Sequence, residues 1–153
     1  MAALTVHPAT AERVAHVLDH LRDADRREVA LSSGKDVREV LLESVALSDW
    51  ANVAEVDGVP AILYGVAYIA PGIGAPWMVA TDDIRKVRRQ FVQACRAEVD
   101  VMAAAYPDLR NIVARFNRCS IRWLEWLGFT IHRSRGVGPG GKFYLFTKGA
   151  PSV

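Results

Sequence analysis

The sequence predicts a mixed α/β domain: one central, mostly antiparallel sheet with helices on both faces. Three observations predict it. Segments with the period-two alternation of strands cluster in hairpins. Segments with a 3.6-residue period lie before and between them. Two of these helices separate strands that no hairpin can join, so they carry crossovers. Residues 1–153 are read as a single domain, because a chain of 153 residues has no room for a second core. With 51% apolar and 24% charged side chains it needs neither metal nor disulfide staples.

Leu4, Thr5 and Val6 read as an edge strand. Val14, Val17, Leu18 and Leu21 recur at i, i+3, i+4 and i+7, the stripe of an amphipathic helix, with the Thr10 hydroxyl as its N-cap. That helix is expected to run on through residues 23–30 and to break at Ser32, Ser33 and Gly34. A second helix is expected over 36–47, with Val37, Val40, Leu41 and Val45 inward. Residues 50–56 alternate, Asp57-Gly58 reads as a hairpin turn, and 61–69 form a second strand rich in Ile, Val and Tyr. After Pro71-Gly72 comes a short apolar strand, 77–80.

Ile84, Val87, Phe91, Cys95, Val99 and Met102 then set a long helix over 83–105, capped by Thr81 or Asp82 and ended by Pro107. Residues 109–114 are a strand and 117–127 a short helix with Gly128 as its stop. The closing strands are 129–133 and 143–147, joined by a glycine-rich loop.

The segment NRCSIRWLEWLGF, with Asn117, Ser120, Gly128 and Phe129 at their expected spacing, resembles the closing motif of the GNAT superfamily of acyl-CoA-dependent N-acyltransferases. The order of elements resembles that fold over nearly the whole chain. The resemblance implies a parallel pair of strands, the fourth and fifth, that splay apart to admit acetyl-CoA. The donor's pantetheine arm would pair with the backbone of Trp77, Met78, Val79 and Ala80, and Asn117 would hold the cofactor or its own loop. PWMVATDDIRK together with WLEWLGF is also similar to small proteins of short-tailed phages, the internal virion protein A family of T7-like phages.

Departures from the family pattern are as informative as the matches. Family enzymes cradle pyrophosphate in a glycine-rich loop, where several N–H groups converge on the anion. The corresponding residues 81–88, TDDIRKVR, contain no glycine. Arg85, Lys86, Arg88 and Arg89 offer side-chain contacts to phosphate instead, or are the solvated face of an amphipathic helix. The tyrosine with which many members protonate the leaving thiolate is replaced by Leu124, which has no proton to give. Glu55 is the candidate general base, with a solvated strand face as the plainer account of it.

Other candidates carry less. GVGPGGK at 136–142 matches most of a phosphate-loop pattern, but Phe143 stands where a hydroxyl is needed and a strand follows instead of a helix. His16 and His20 have a two-ligand metal spacing and no assignable third ligand, so no metal is expected. Cys95 reads as core. Cys119, at the start of the last helix, has no partner for nucleophilic work. Trp123 and Trp126 would supply a protein interface if one is exposed.

Nineteen basic against 17 acidic side chains give +2, which implies no strong electrostatic grip on nucleic acid. The longest apolar stretch is broken by Pro60, Pro71 and Pro76, so no membrane span is expected. The first residues lack the pattern of a signal peptide. Two function classes follow. One is an N-acetyltransferase acting on a primary amine of a small molecule or protein. The other is a non-catalytic phage or prophage protein, virion or assembly-related, partnered by virion proteins or by itself. The missing glycines and tyrosine favour the second class. Either would work in a host cytoplasm, the second also in the virion. No cofactor is expected to bind tightly; acetyl-CoA would bind with a dissociation constant no tighter than about 100 µM, or about 5.5 kcal/mol.

Overall fold

The computed structural model describes residues 2–149. Seven strands form one sheet in the order β1-β2-β3-β4-β5-β7-β6. They are β1 (Leu4–Pro8), β2 (Ser48–Val56), β3 (Val59–Ala70), β4 (Ile73–Ala80), β5 (Asp108–Ala114), β6 (Thr130–Val137) and β7 (Phe143–Lys148). The helices are α1 (Ala11–Asp19), α2 (Asp23–Ser33), α3 (Val37–Leu47), α4 (Arg88–Ala105) and α5 (Arg118–Trp126). All pairings are antiparallel except β4 with β5.

Alternation along the central strands builds a core on each face. Ile62, Tyr64 and Val66 of β3 pack with Phe91, Val99 and Met102 of α4 and Ile121 of α5. Leu63, between them in sequence, points to the other face with Val53 and Val79, under Val14, Val17 and Leu18 of α1 and Leu41 of α3. Each such fully buried aliphatic side chain contributes about 1.5–3 kcal/mol relative to exposure. The β2–β3 turn is made by Asp57 and Gly58, both at positive φ (50° and 79°), the geometry whose twist suits a two-residue hairpin.

Two expectations about helices are corrected. The first helix does not run on past residue 20. It ends at His20, whose N–H donates to the Val17 carbonyl, and Leu21 forms an isolated bridge to Thr81 before α2 begins. The free edge of β4 draws this stretch into extended backbone. The long helix does not start at 83. Residues Asp82–Val87 form a 3-10 helix, with Thr81 capping through a hydrogen bond accepted from the Asp83 N–H at 3.2 Å, and α4 proper begins at Arg88. The loop after β6 contains a short 3-10 turn, Pro139–Gly141, and leads into a strand, so it is a hairpin connection and not a phosphate loop.

The parallel pairing of β4 and β5 is brief. It is confined to Ile73 with Asp108 and Gly74 with Leu109. Beyond those two rungs the strands separate, and the opening faces the N-termini of α4 and α5.

Candidate active site

The phase of each ladder decides which backbone groups face the opening. The Thr81 N–H donates to the Ala61 carbonyl at 2.8 Å, so on β4 it is Pro76, Met78 and Ala80 that turn away from β3 and into the splay. The Arg115 N–H donates to Lys142 at 3.0 Å, which turns Ile112 and Ala114 of β5 the same way. A splayed pair leaves such groups without a ladder partner, and buried ones need another.

Side chains and neighbouring backbone groups supply partners for most of them. The Ala80 N–H donates to Asp25 Oδ2 at 2.8 Å, and the Ala80 carbonyl accepts from the Arg22 N–H at 2.9 Å. Asn111 bridges the arms: its Nδ2 donates to the Pro76 carbonyl at 2.9 Å and its Oδ1 accepts from the Ile112 N–H at 2.8 Å. The Ala114 N–H donates to Glu28 Oε1, whose other oxygen accepts from Asn117 Nδ2 at 3.1 Å. Of these five residues, Met78 alone has an N–H with no partner among the described residues.

Around it lies a cavity of about 280 Å³ that crosses the sheet at the splay. Glu28, Ser32 and Leu41 line it on the α2–α3 face, and Tyr64, Cys95 and Leu124 on the α4–α5 face. Its walls are mostly apolar, with a few polar groups at the opening, the composition of a small-molecule site.

Arg22, the N-cap of α2, and two residues of that helix stand at the splay. Asp25 and Glu28, at i and i+3, are neighbours on one helix face, and Arg22 precedes Asp25 by three residues. Arg22 and Asp25 form a buried two-pronged pair at 2.7 and 3.1 Å, and the guanidinium lies 5.6 Å from the centre of the Trp123 ring. Burial pulls the Arg22 guanidinium down, but the Asp25 hydrogen bonds and charge outweigh it and hold the group above its ordinary value. Burial pushes the Glu28 carboxyl up, against the opposing pull of the Ala114 and Asn117 hydrogen bonds. Glu28 is therefore a carboxylate at the cavity wall with enhanced affinity for a proton.

The residues singled out from sequence fall into three groups. Met78 faces the cavity with its open N–H, Val79 and Ala80 are buried in the β4 arm, and the Trp77 indole turns to the other face and donates to Ser48 Oγ at 2.8 Å. Asn117 is buried and caps α5 by accepting from the Ser120 N–H at 3.4 Å while it holds Glu28. It secures its own loop, one of the two roles expected of it.

Glu55 is not brought to the splay. It sits on β2, with β3 between it and β4, and its carboxylate is engaged by Arg13 Nε at 3.0 Å and His7 Nε2 at 3.3 Å. Two carboxylates line the cavity instead, Glu28 on the α2–α3 face and Glu98 on the α4 face.

In the basic segment, Arg85 faces Asp82 at 3.9 Å and Lys86 faces Asp83 at 3.2 Å, all on the surface. Arg88 and Arg89 are exposed and carry no ion pair among the described residues, and α4 begins there without a side-chain cap. Arg85 and Lys86 thus have acids beside them, and Arg88 and Arg89 have none among the described residues.

The minor candidates resolve simply. The His16 and His20 rings stack 4.3 Å apart, and among the described residues no group of three His, Cys, Asp or Glu is placed to hold a metal. Burial pushes the Cys95 thiol up to about 12, helped by the Glu98 charge, so it is inert as a nucleophile. Trp126 is 62% exposed and Trp123 is half-buried. No described helix is long and apolar enough to cross a membrane.

Sequence reasoning missed Arg22, Asp25, Glu28 and Asn111. The usable signal was the three-residue spacing of the first three, which puts Asp25 and Glu28 on one helix face. Being charged, they read as surface.

No family model matches the chain, and no curated protein matches it by sequence. Solved structures do match. A ribosomal-protein-alanine N-acetyltransferase from Brucella melitensis aligns with TM-score 0.68 at 17% identity, over 94% of this chain and 98% of that one. The fold is that of the GNAT acetyltransferases. The aminoglycoside acetyltransferase AAC(6')-Ib, in complex with coenzyme A, aligns at 0.66 and 16% identity over 95% of this chain and 93% of that one. The PaiA N-acetyltransferase of Thermoplasma acidophilum, also with coenzyme A, aligns at 0.66 and 12% over 95% and 98%. The GNAT fold thus extends along essentially the whole length of this chain, splay included.

Proposed function

We propose that this GNAT-fold chain transfers an acyl group from a coenzyme A thioester to a primary amine of a small molecule or protein. The observation that carries the reading is the Met78 N–H, a backbone donor without a partner among the described residues, inside a cavity that crosses the sheet. The amine nitrogen attacks the thioester carbonyl carbon, a C–N bond forms and the C–S bond breaks. The Met78 N–H faces the developing oxyanion. Glu28 takes the ammonium proton. The thiolate departs without a side-chain acid, since Leu124 stands at that wall. With a thiol pKa of about 8.5 it is an adequate leaving group and is protonated by water. Arg88 and Arg89 meet the donor's phosphates by charge, without a preformed nest of N–H groups, so acetyl-CoA binds weakly.

The test uses Met78→Pro. Pro76 already occupies the same phase of β4, and a proline there costs no ladder hydrogen bond, so the variant folds. Acyl transfer, followed as thiol release across a panel of primary amines, falls about 100- to 1,000-fold on loss of an oxyanion donor. Transfer that survives the substitution removes Met78 from the mechanism.

A second reading has its own observation. The cofactor loop is a glycine-free 3-10 helix, and Trp126 stands exposed on α5. Both suit a non-catalytic phage or prophage protein, of the virion or its assembly, that keeps the scaffold. Absence of thiol release with every amine and donor favours this reading.

A further inference from the structure

The cavity has an arm that acetyl transfer does not use. On the α4 face it runs beneath β2 and β3, past Met78, and is lined by Leu4, Ala54, Tyr64, Cys95 and Val99. Tyr64 lies directly across from Met78 in the β3–β4 ladder, so its side chain starts beside that of Met78 on the same face and extends beneath the sheet. Tyr64 is 8% exposed and its hydroxyl is fully enclosed; the Glu98 carboxylate and the Asn52 amide are its polar neighbours, but neither completes a well-formed hydrogen bond to it. A buried hydroxyl without a partner is costly unless something occupies the site. An acetyl group fills only a small part of a 280 Å³ cavity.

We propose that this arm holds the tail of the acyl donor: a chain longer than acetyl, apolar along its length, bearing an oxygen that accepts from the Tyr64 hydroxyl. The proposal rests on the acyl-transfer reading for the position of the thioester. The half-buried Glu98 carboxylate, which also lines the arm, excludes an acidic tail and leaves a hydroxyl or carbonyl as the acceptor. The lining is contiguous with the Met78 donor, so one ligand reaches both. Each methylene buried in such a slot strengthens binding about fourfold.

Calorimetry with acetyl-CoA, hexanoyl-CoA and 3-hydroxyhexanoyl-CoA tests the arm independently of turnover. The expected result is at least tenfold tighter binding of hexanoyl-CoA than of acetyl-CoA. Cys95→Phe, which fills the arm from α4, brings that ratio toward one. The hydroxylated donor binds more tightly than hexanoyl-CoA, and Tyr64→Phe, which keeps the ring, abolishes only this difference. Equal affinity for acetyl and hexanoyl donors overturns the pocket, and so does absence of binding by all three. A hydroxylated donor indifferent to Tyr64→Phe overturns the role of the phenol. Thiol release measured alongside separates the two ideas: a tail-dependent affinity without transfer sinks the catalytic reading and leaves the pocket standing.

Discussion

Asp25→Ala is the sharpest probe of how the splay is held. The substitution removes both hydrogen bonds to Arg22, at 2.7 and 3.1 Å, and the acceptor of the Ala80 N–H at 2.8 Å. Arg22 is 9% exposed, so its guanidinium cannot simply turn to water. Breaking a buried ion pair from one side typically costs about 3–5 kcal/mol, most of it the charge left behind. The orphaned N–H adds about 1–3 kcal/mol where water does not reach it. The total expected is about 4–8 kcal/mol, read as a shift in the urea midpoint, or at least about 8 °C in Tm for a domain of this size. The double variant Arg22→Met/Asp25→Leu removes both charges and fills the space. It is expected to recover half or more of the loss, because replacing a buried pair by apolar groups is often neutral. The Arg22 backbone bond to Ala80 survives in both. A cost below about 1 kcal/mol for Asp25→Ala, or a double variant less stable than the single one, would refute this account.

Two further outcomes follow from the same site. Gly74→Ala places a Cβ 2.6 Å from Cγ of Tyr106, at the vertex of the splay, and is expected to cost about 1–3 kcal/mol of overpacking, measured by thermal unfolding. Glu28 has its carboxyl raised by burial, so its protonated form stabilises the fold below the ordinary carboxylate range, and that contribution is lost as pH rises through its folded value. Wild-type stability relative to Glu28→Gln therefore falls from about pH 4 upward, while acyl transfer rises over the same titration as the base becomes free; a pH-independent difference in stability would contradict the assignment.

The architecture was legible because its signals are local. Thr10, Asp36 and Asn117 cap helices where hydroxyl, carboxylate and amide groups precede apolar periodicity, and Asp57-Gly58 turns a hairpin as its backbone demands. The start of the long helix was misplaced because Ile84 and Val87 keep the helical stripe through a 3-10 segment, where both are still buried. The splay residues were hidden for a different reason. Asp25 and Glu28 answer to backbone groups on β4 and β5, at sequence separations of 55 and 86 residues, and nothing in a helical pattern marks a carboxylate as inward-facing when its partner is a distant N–H. Glu55 illustrates the converse. Its position on a strand suggested exposure or chemistry, and the structure gives it Arg13 and His7 as partners.

The distribution of covered and uncovered donors shows where along the splay this chain has groups free to meet a ligand. A parting pair of strands exposes N–H groups along both arms, and each must be satisfied in the folded protein or reserved for a ligand. Here Asp25, Asn111 and Glu28 satisfy the Ala80, Ile112 and Ala114 donors, and among the described residues the Met78 N–H is left without a partner. At the start of α4, Thr81 and the 3-10 turn satisfy local N–H groups internally, so the segment would meet an anion through exposed side chains, Arg88 and Arg89 foremost. Such contacts lose strength with salt and with the entropy of ordering long side chains. The affinity missing at that end must come from elsewhere if a donor is to be held, and the apolar arm beneath Tyr64 is where this chain has the surface to provide it. Phosphate anchoring and tail burial are then alternatives: restoring a glycine turn at 82–87 should tighten every acyl-CoA alike, whereas filling the arm at Cys95 should penalise only the longer ones.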